Sequence, residues 1–565
     1  MILALPAGWK RLRPVLSAGQ FRLLLCLVLV LCYNTPLWHL VSSQPASSQL
    51  SRLLFVGGFF SFMVAIYLLL LTPVGFRPLL KPLAVLLLSS AAMVSYFMTT
   101  YGILVDKSMV QNLFETDIAE ASELFSLPLL LHLLLYGLLP SLLVLAIRIR
   151  KQSTAGELRS VLVSVSLCLV VIGLNAAVLF KDYSSLFRNN RQIRNLAVPS
   201  NYLYYGSRYL AGAYDAESAP LQSVGEDAQV VETSSPNARP KLLVLVVGET
   251  ARAANFSLGG YERDTNPSLQ QASVIYFDQT TSCGTSTAES LPCMFSLKRR
   301  SDYDKGLERH RENLLDVLHH AGIGVLWRDN NSGCKGVCER IDQQPPSLFD
   351  AAQFCGEHEC YDETMLTALD DYLRSGPGDK VVVLHQKGSH GPAYYERYPQ
   401  AFERFTPVCD SNQLQACSEQ SIRNAYDNTI LYTDHFLGRV IAFLKARQDR
   451  FDSAMLYMSD HGESLGEGNI YLHGMPYLLA PSEQTHIPFL MWLSQGMAQR
   501  DGVDTECLRA ERQQAVSHDN LAHSVLGLMN VRTRVYDPSL DIFQGCRHAS
   551  ATLALDRKRD AQGPV

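Results

Sequence analysis

The stretch Lys241-Leu-Leu-Val-Leu-Val-Val247 is an apolar run of buried-strand length that stops at Gly248-Glu249-Thr250-Ala251-Arg252. Apolar throughout and polar only where it ends, it reads as a parallel strand buried on both faces. Sheets of that kind place ligands at the C-terminal ends of their strands, so Glu249 is a candidate ligand. Two more runs end in the same way. Lys380-Val-Val-Val-Leu384 leads into His385-Gln386-Lys387-Gly388-Ser389-His390-Gly391-Pro392, and Ala454-Met-Leu-Tyr-Met458 leads into Ser459-Asp460-His461-Gly462-Glu463. Helical stretches over 310–320, 361–374 and 420–447 alternate with these runs. That order predicts an α/β sandwich with a mostly parallel central sheet.

The strand ends carry chemistry. Carboxylate and imidazole side by side at Asp460-His461 suit zinc, whose catalytic ligands mix nitrogen and oxygen. Adjacent ligands need an irregular backbone, which Gly462 permits. The loop Thr280-Thr-Ser-Cys283-Gly284-Thr285-Ser286-Thr287-Ala-Glu-Ser290-Leu-Pro-Cys293 is dense in hydroxyls. If a helix begins at Ser286, Thr285 lies at its N-cap, where backbone N–H groups face a phosphoryl oxygen. A hydroxyl beside a metal ion attacks phosphorus more readily. Spacing alone does not choose among Thr285, Ser286 and Thr287. His390, His473 and His486 are candidates for phosphate binding, acid–base work or a second metal.

The N-terminal third is different. The chain has 565 residues and a mean hydropathy near zero, but that average conceals a Leu-, Val- and Ala-rich part up to about Tyr183. Five apolar segments, approximately 21–40, 53–72, 80–100, 124–147 and 160–180, are long enough to span a bilayer. Lys10, Arg11, Arg13 and Arg22 flank the first, Arg77 and Lys81 lie between the second and third, and Arg148, Arg150, Lys151 and Arg159 lie between the fourth and fifth. Positive-inside then puts the N-terminus in the cytoplasm and everything after the fifth span outside. The expected domains are 1–183, a five-helix membrane domain; 184–240, an interfacial segment and linker; and 241–565, the soluble catalytic domain. In the loop after the third span, a short interfacial helix would put Asn112, Thr116 and Glu120 on one face, at the depth of a lipid headgroup.

A net charge of −5 with no long basic run argues against nucleic acid as a partner. Of the 13 cysteines, Cys26, Cys32 and Cys168 lie in apolar segments. The other ten lie in the soluble part, eight of them in close sequential pairs, which is the pattern of disulfides in an oxidising compartment. Cys334 and Cys338 also have zinc-ligand spacing, but no paired repeat accompanies them.

With these residues in view, the chain resembles the lipid A phosphoethanolamine transferases of Gram-negative inner membranes, the family that includes the transferable colistin-resistance enzymes. The stretches that carry the resemblance are Tyr101–Asn112, Val247–Arg252, Cys283–Ser286, Lys387–Pro392, Ser459–Gly466 and Tyr471–Gly474. The resemblance implies an alkaline phosphatase/sulfatase-like soluble domain and one catalytic zinc held by Glu249, Thr285, Asp460 and His461, and it allows a second zinc. It implies that Thr285 accepts phosphoethanolamine, that His390 and His473 hold substrate phosphate or the second metal, and that Asn112, Thr116 and Glu120 bind the donor lipid. Phosphatidylethanolamine is the implied donor and lipid A the implied acceptor, in a ping-pong reaction at the periplasmic face by an enzyme expected to be a monomer. Alongside it we expect disulfides 283–293, 334–338, 355–360, 409–417 and 507–546. Two other readings remain: a related transferase with another acceptor, such as a periplasmic glucan or core heptose, and a non-catalytic membrane scaffold.

Overall fold

The structure, a computed structural model, describes residues 14–547 apart from 46–47, 75–76, 117, 217–219, 232–238, 346–347, 350–351 and 356–358. Lys10, Arg11 and Arg13, which orient the first span above, lie outside the described residues. The chain forms two compact units. One comprises Met1–Val110 and Phe125–Arg208, the other Gln111–Leu124 and Tyr209–Val565.

The first unit is helical. Among the described residues, Gln49–Pro73, Arg77–Thr100, Leu127–Ala146 and Thr154–Asn189 are each long and apolar enough to cross a membrane. The expected first span is a pair, Ala18–Cys32 and Thr35–Ser42, bent by 70°; counting it as one span gives five. Pro36 in the first turn of the second helix and Asn34, whose side-chain amide donates to Leu29 O at 2.8 Å, mark the bend. Ser17 and Gln20 cap the start of the first helix reciprocally. Inside this apolar unit the buried Asn175 is satisfied by Ser61 Oγ (3.1 Å), Val171 O (2.9 Å) and the Tyr183 hydroxyl (2.8 Å). The segment read as interfacial linker contains a helix, Ser200–Ala216.

The loop after the third span is not one helix. Lys107–Glu115 and Ile118–Glu123 are separate, and Thr116 Oγ1 turns back onto Asn112 O at 2.7 Å. Asn112 and Thr116 stay one turn apart, but the continuous face that was to include Glu120 is broken. The side chain of Glu120 lies outside the described residues.

The second unit is built on a seven-stranded sheet. Its strands, with two short ones beside it, are β1 (Lys241–Gly248), β2 (Ile275–Phe277), β3 (Gln279–Thr281), β4 (Gly324–Asp329), β5 (Asp342–Gln344), β6 (Lys380–His385), β7 (Asp452–Ser459), β8 (Phe489–Leu493) and β9 (Ala515–Ser517). The order is β2-β8-β7-β1-β6-β4-β5. The five strands β7, β1, β6, β4 and β5 are parallel, and β8 and β2 are added antiparallel. Every residue of β1 and β7 is buried, as a sheet covered on both faces requires. This is the expected membrane part plus α/β domain with a mostly parallel sheet. All five expected disulfides are present.

The start of β1 holds a buried ion pair. Lys241 Nζ lies 2.7 Å from Asp501 Oδ1 and donates to Leu528 O at 2.6 Å, with both charged side chains almost fully buried. Lys241→Ala leaves the Asp501 carboxylate buried without its cation, at an expected cost of about 3–5 kcal/mol. The denaturation midpoint of the full chain in detergent reads this, and pairing Lys241→Met with Asp501→Leu is expected to recover most of it, since that change removes both charges together.

Candidate metal-dependent active site

Strand register builds the site. Ser459 pairs with Gly248, Val247 with His385, and His385 with Asp329, so four parallel strands end side by side. The residues just beyond those ends, Glu249 after β1 and Asp460-His461 after β7, converge. Their donor atoms all lie within 4.8 Å of one another, and all three side chains are fully buried. His461 Nε2 is 3.4 Å from Glu249 Oε1 and 3.3 Å from Asp460 Oδ2.

The backbone around them is constrained. A Cβ on Gly248 would meet the Tyr457 hydroxyl at 2.5 Å, and one on Gly462 would meet Glu483 O at 2.0 Å. Gly462 is therefore required by the close approach of the backbone at Glu483. Thr250, next to Glu249, and Leu472, next to His473, adopt left-handed conformations (φ 50° and 64°). Such strain in non-glycine residues collects at functional sites.

Each donor is oriented. His461 Nδ1 donates to Gly462 O at 2.9 Å, which leaves the Nε2 lone pair facing the two carboxylates. Asp460 Oδ1 accepts from His461 N (2.7 Å) and Thr250 N (3.2 Å), whereas its buried Oδ2 has no hydrogen-bond partner among the described residues. Asn331 Nδ2 donates to Glu249 Oε2 at 2.6 Å. Asn331 leads back to His385 (3.4 Å), and His385 Nδ1 to Asp329 Oδ2 (2.9 Å). Burial first, and the facing Glu249 second, push the Asp460 carboxyl well above the usual range, while burial holds His461 well below its own. Two buried carboxylates and an imidazole lone pair aimed at one point could hold a divalent cation, and the mixed nitrogen and oxygen donors fit zinc.

The structure corrects the choice of hydroxyl. Thr285 donates to Met475 O at 2.6 Å, and its own carbonyl accepts from Gly474 N at 2.7 Å. The hydroxyl at the cluster belongs to Thr287, 3.1 and 3.2 Å from the Glu249 carboxylate oxygens and 3.4 Å from His461 Nε2. The cause is where the helix begins. Ser286 is extended and is the N-cap, so Thr287 takes the first helical position of Thr287–Met294. The positive end of that helix therefore carries Thr287.

The histidines separate. The His473 ring is 4.5 Å from the His461 ring and 5.5 Å from the His390 ring. Glu463 aligns His473 at 3.1 Å and accepts from the Tyr394 hydroxyl at 3.0 Å. His486 instead engages Asp278 O at 2.7 Å and does not join the cluster. His385 stands directly after the second apolar run but carried no role in the sequence, and Asp329 and Asn331 did not stand out. The available signal was a fourth apolar run, Ile323–Trp327, ending in Arg328-Asp329-Asn330-Asn331.

Residues 111–124 belong to the same unit as this site. Glu115 pairs with Arg309 (2.5 Å) and Lys305 (3.3 Å), and Glu123 pairs with Arg397 and Lys387. Lys305 and Gln111 both donate to Ala288 O, the residue after Thr287. The segment carrying Asn112 and Thr116 is thus fastened beside the helix that carries Thr287.

Residues 63–214 match the family model described as phosphoethanolamine transferase EptA/EptB, and residues 241–531 match the sulfatase model. The chain is 42% identical over 553 residues to phosphoethanolamine transferase EptA of Salmonella typhimurium, covering 95% of this chain and 98% of that relative. The chain belongs to the phosphoethanolamine transferase family. This transferase is also 38% identical over 466 residues to phosphatidylethanolamine transferase Mcr-1 of Escherichia coli, covering 81% and 85% of the two chains. The solved integral membrane lipooligosaccharide phosphoethanolamine transferase A of Neisseria meningitidis matches the transferase with a TM-score of 0.90 at 36% identity, covering 95% of this chain and all of that one.

Proposed function

We propose that this enzyme moves phosphoethanolamine from phosphatidylethanolamine to a phosphate of lipid A by way of a phosphoethanolaminyl-threonine on Thr287. The observation that carries this reading is the Thr287 hydroxyl, 3.1 Å from a buried carboxylate, within a convergent set of metal donors at a helix N-terminus. Glu249, Asp460, His461 and Thr287 would hold one zinc ion, which when bound lowers the hydroxyl pKa and draws charge from the phosphoryl oxygens.

The chain's residues perform the rest. Thr287 Oγ1 gives its proton to Glu249 and attacks phosphorus; the bond from phosphorus to the diacylglycerol oxygen breaks, and that oxygen takes up a proton. His390 and His473, whose rings lie 5.5 Å apart, would bind phosphoryl oxygens and supply that proton. A lipid A phosphate oxygen then attacks the same phosphorus, the bond to Thr287 Oγ1 breaks, and the threonine regains its proton. Helix N–H groups and the donor set are already in place before charge develops. Asn112, Thr116 and Glu120 hold the donor headgroup. The apolar helices keep the enzyme in the bacterial inner membrane with its N-terminus in the cytoplasm and the second unit in the periplasm, where both lipid substrates are within reach and the five disulfides persist.

The test is intact mass and ³²P tracing of the purified full chain given phosphatidylethanolamine, with lipid A added last. A phosphoethanolamine adduct that discharges onto lipid A is the expected result. An adduct that forms and never discharges onto lipid A moves the acceptor elsewhere, and no adduct in zinc-replete protein removes the covalent mechanism.

A further inference from the structure

We propose that His518 and Ser290 are a positioning pair that sets the distance between Thr287 and the metal donors, a role that rests on the covalent reading above. Neither residue stands out in the sequence. Strand β9 runs parallel to β3 with Ser517 opposite Thr281, and His518 N donates to Thr281 O at 3.2 Å. This pairing brings a histidine from 235 residues downstream to the level of Cys283.

The ring of His518 then joins two elements. Its Nδ1 accepts from Cys283 N at 3.0 Å, at the base of the threonine loop, and its Nε2 donates to Ser459 O at 2.9 Å, just before Asp460. A carbonyl on one side and an N–H on the other fix a single neutral tautomer. The side chain is buried, which also holds its pKa down to about 4. Ser290 completes the connection. It lies three residues after Thr287 and so on the same helix face. Its hydroxyl donates to Asp460 O and accepts from Gly284 N at 3.2 Å, with His518 Nδ1 3.3 Å away. The helix that carries Thr287 is thereby fastened to the main chain of Asp460, and the loop before it to the end of β7. Neither side chain touches the donor cluster itself, so the pair acts through placement. Reacting groups displaced by about 1 Å can lose about 100-fold in rate, which makes such a tie consequential.

The experiment compares full-length wild type with His518→Leu and His518→Asn, each given phosphatidylethanolamine in mixed micelles. It reads the single-turnover rate of adduct formation, KM for the lipid, zinc content and denaturation midpoint. His518→Leu removes both bonds and is expected to slow adduct formation by about 100-fold with KM and zinc content unchanged. His518→Asn retains an oxygen that can accept from Cys283 N, and is expected to recover at least about tenfold of that loss. An undiminished rate in His518→Leu overturns the proposal. So does an asparagine variant no faster than the leucine one, because a purely structural role would not distinguish them at equal zinc and folded fraction. A wild type that forms no adduct fails at the earlier step and takes this inference with it; a wild-type adduct with an equal rate in His518→Leu removes the positioning role alone.

Discussion

Thr287→Ala is expected to abolish the phosphoethanolamine adduct and to cut transfer by about 10⁴-fold or more, as loss of an attacking group does in enzymes whose residues act as a unit. Thr285→Ala, two residues away in the same loop, is expected to keep the adduct. It loses one hydrogen bond, from Thr285 Oγ1 to Met475 O at 2.6 Å. A bond of that kind contributes about 1 kcal/mol net, so the rate should stay within about tenfold of wild type. Thr287→Ser, which keeps a hydroxyl at the first helical position, is expected to retain a measurable adduct. Peptide mapping of the labelled protein decides between the two threonines directly: label on the peptide of the Thr285→Ala variant supports the assignment, and label surviving in Thr287→Ala sinks it.

Asp460→Asn is the second large effect, and it is expected to destroy activity without weakening the metal-free fold. The carboxylate is fully buried, and its Oδ2, 3.3 Å from His461 Nε2, has no hydrogen-bond partner among the described residues. Replacing it by an amide removes a charged metal donor, so zinc content and transfer both collapse, the latter by about 10³-fold or more given the several kcal/mol of charge stabilisation a metal supplies. A bound ion that ignores the unfolded chain adds about 4.1 kcal/mol of stability when present at a thousand times its Kd. Wild type in zinc should therefore melt above the variant. With a chelator present the order is expected to equalise or invert. Burial first and the facing Glu249 second push the Asp460 carboxyl well above its usual range, so in the metal-free fold the buried ionisable group costs stability, and the neutral amide removes that cost. Melting curves with and without chelator, alongside metal analysis, check both halves. A variant that stays the less stable of the two under chelation would make Asp460 a structural residue instead of a donor.

Much of this protein is set locally and was therefore legible in the chain. Spans follow from apolar runs longer than a bilayer is thick, because an unpaired backbone in hydrocarbon is too costly to permit anything but helix. The strands that end at Gly248, His385 and Ser459 follow from apolar runs that only a doubly covered parallel sheet can bury. Cysteines close in sequence pair because the chain between them is short, and the Cys507–Cys546 bridge across 39 residues takes the two that remain. Glu249, Asp460 and His461 came from the same logic, since each follows a strand end.

What the sequence left open depends on partners far away along the chain or on where a helix happens to begin. A helix starting at Thr287 turns that hydroxyl toward Glu249, while Met475, 190 residues on, takes the hydroxyl of Thr285. Three hydroxyls in a row carry no mark of which one a distant carbonyl will claim. The break between Glu115 and Ile118, the bend between Cys32 and Thr35, and the close approach that makes Gly462 necessary have the same origin. His518 shows it most fully: its tautomer and its place at the threonine loop come from a strand pairing that no local pattern encodes. Local patterning determined the elements and the candidate metal donors; tertiary packing decided which hydroxyl faces them, because side-chain direction in a loop is settled by the partners it meets and not by its neighbours in sequence.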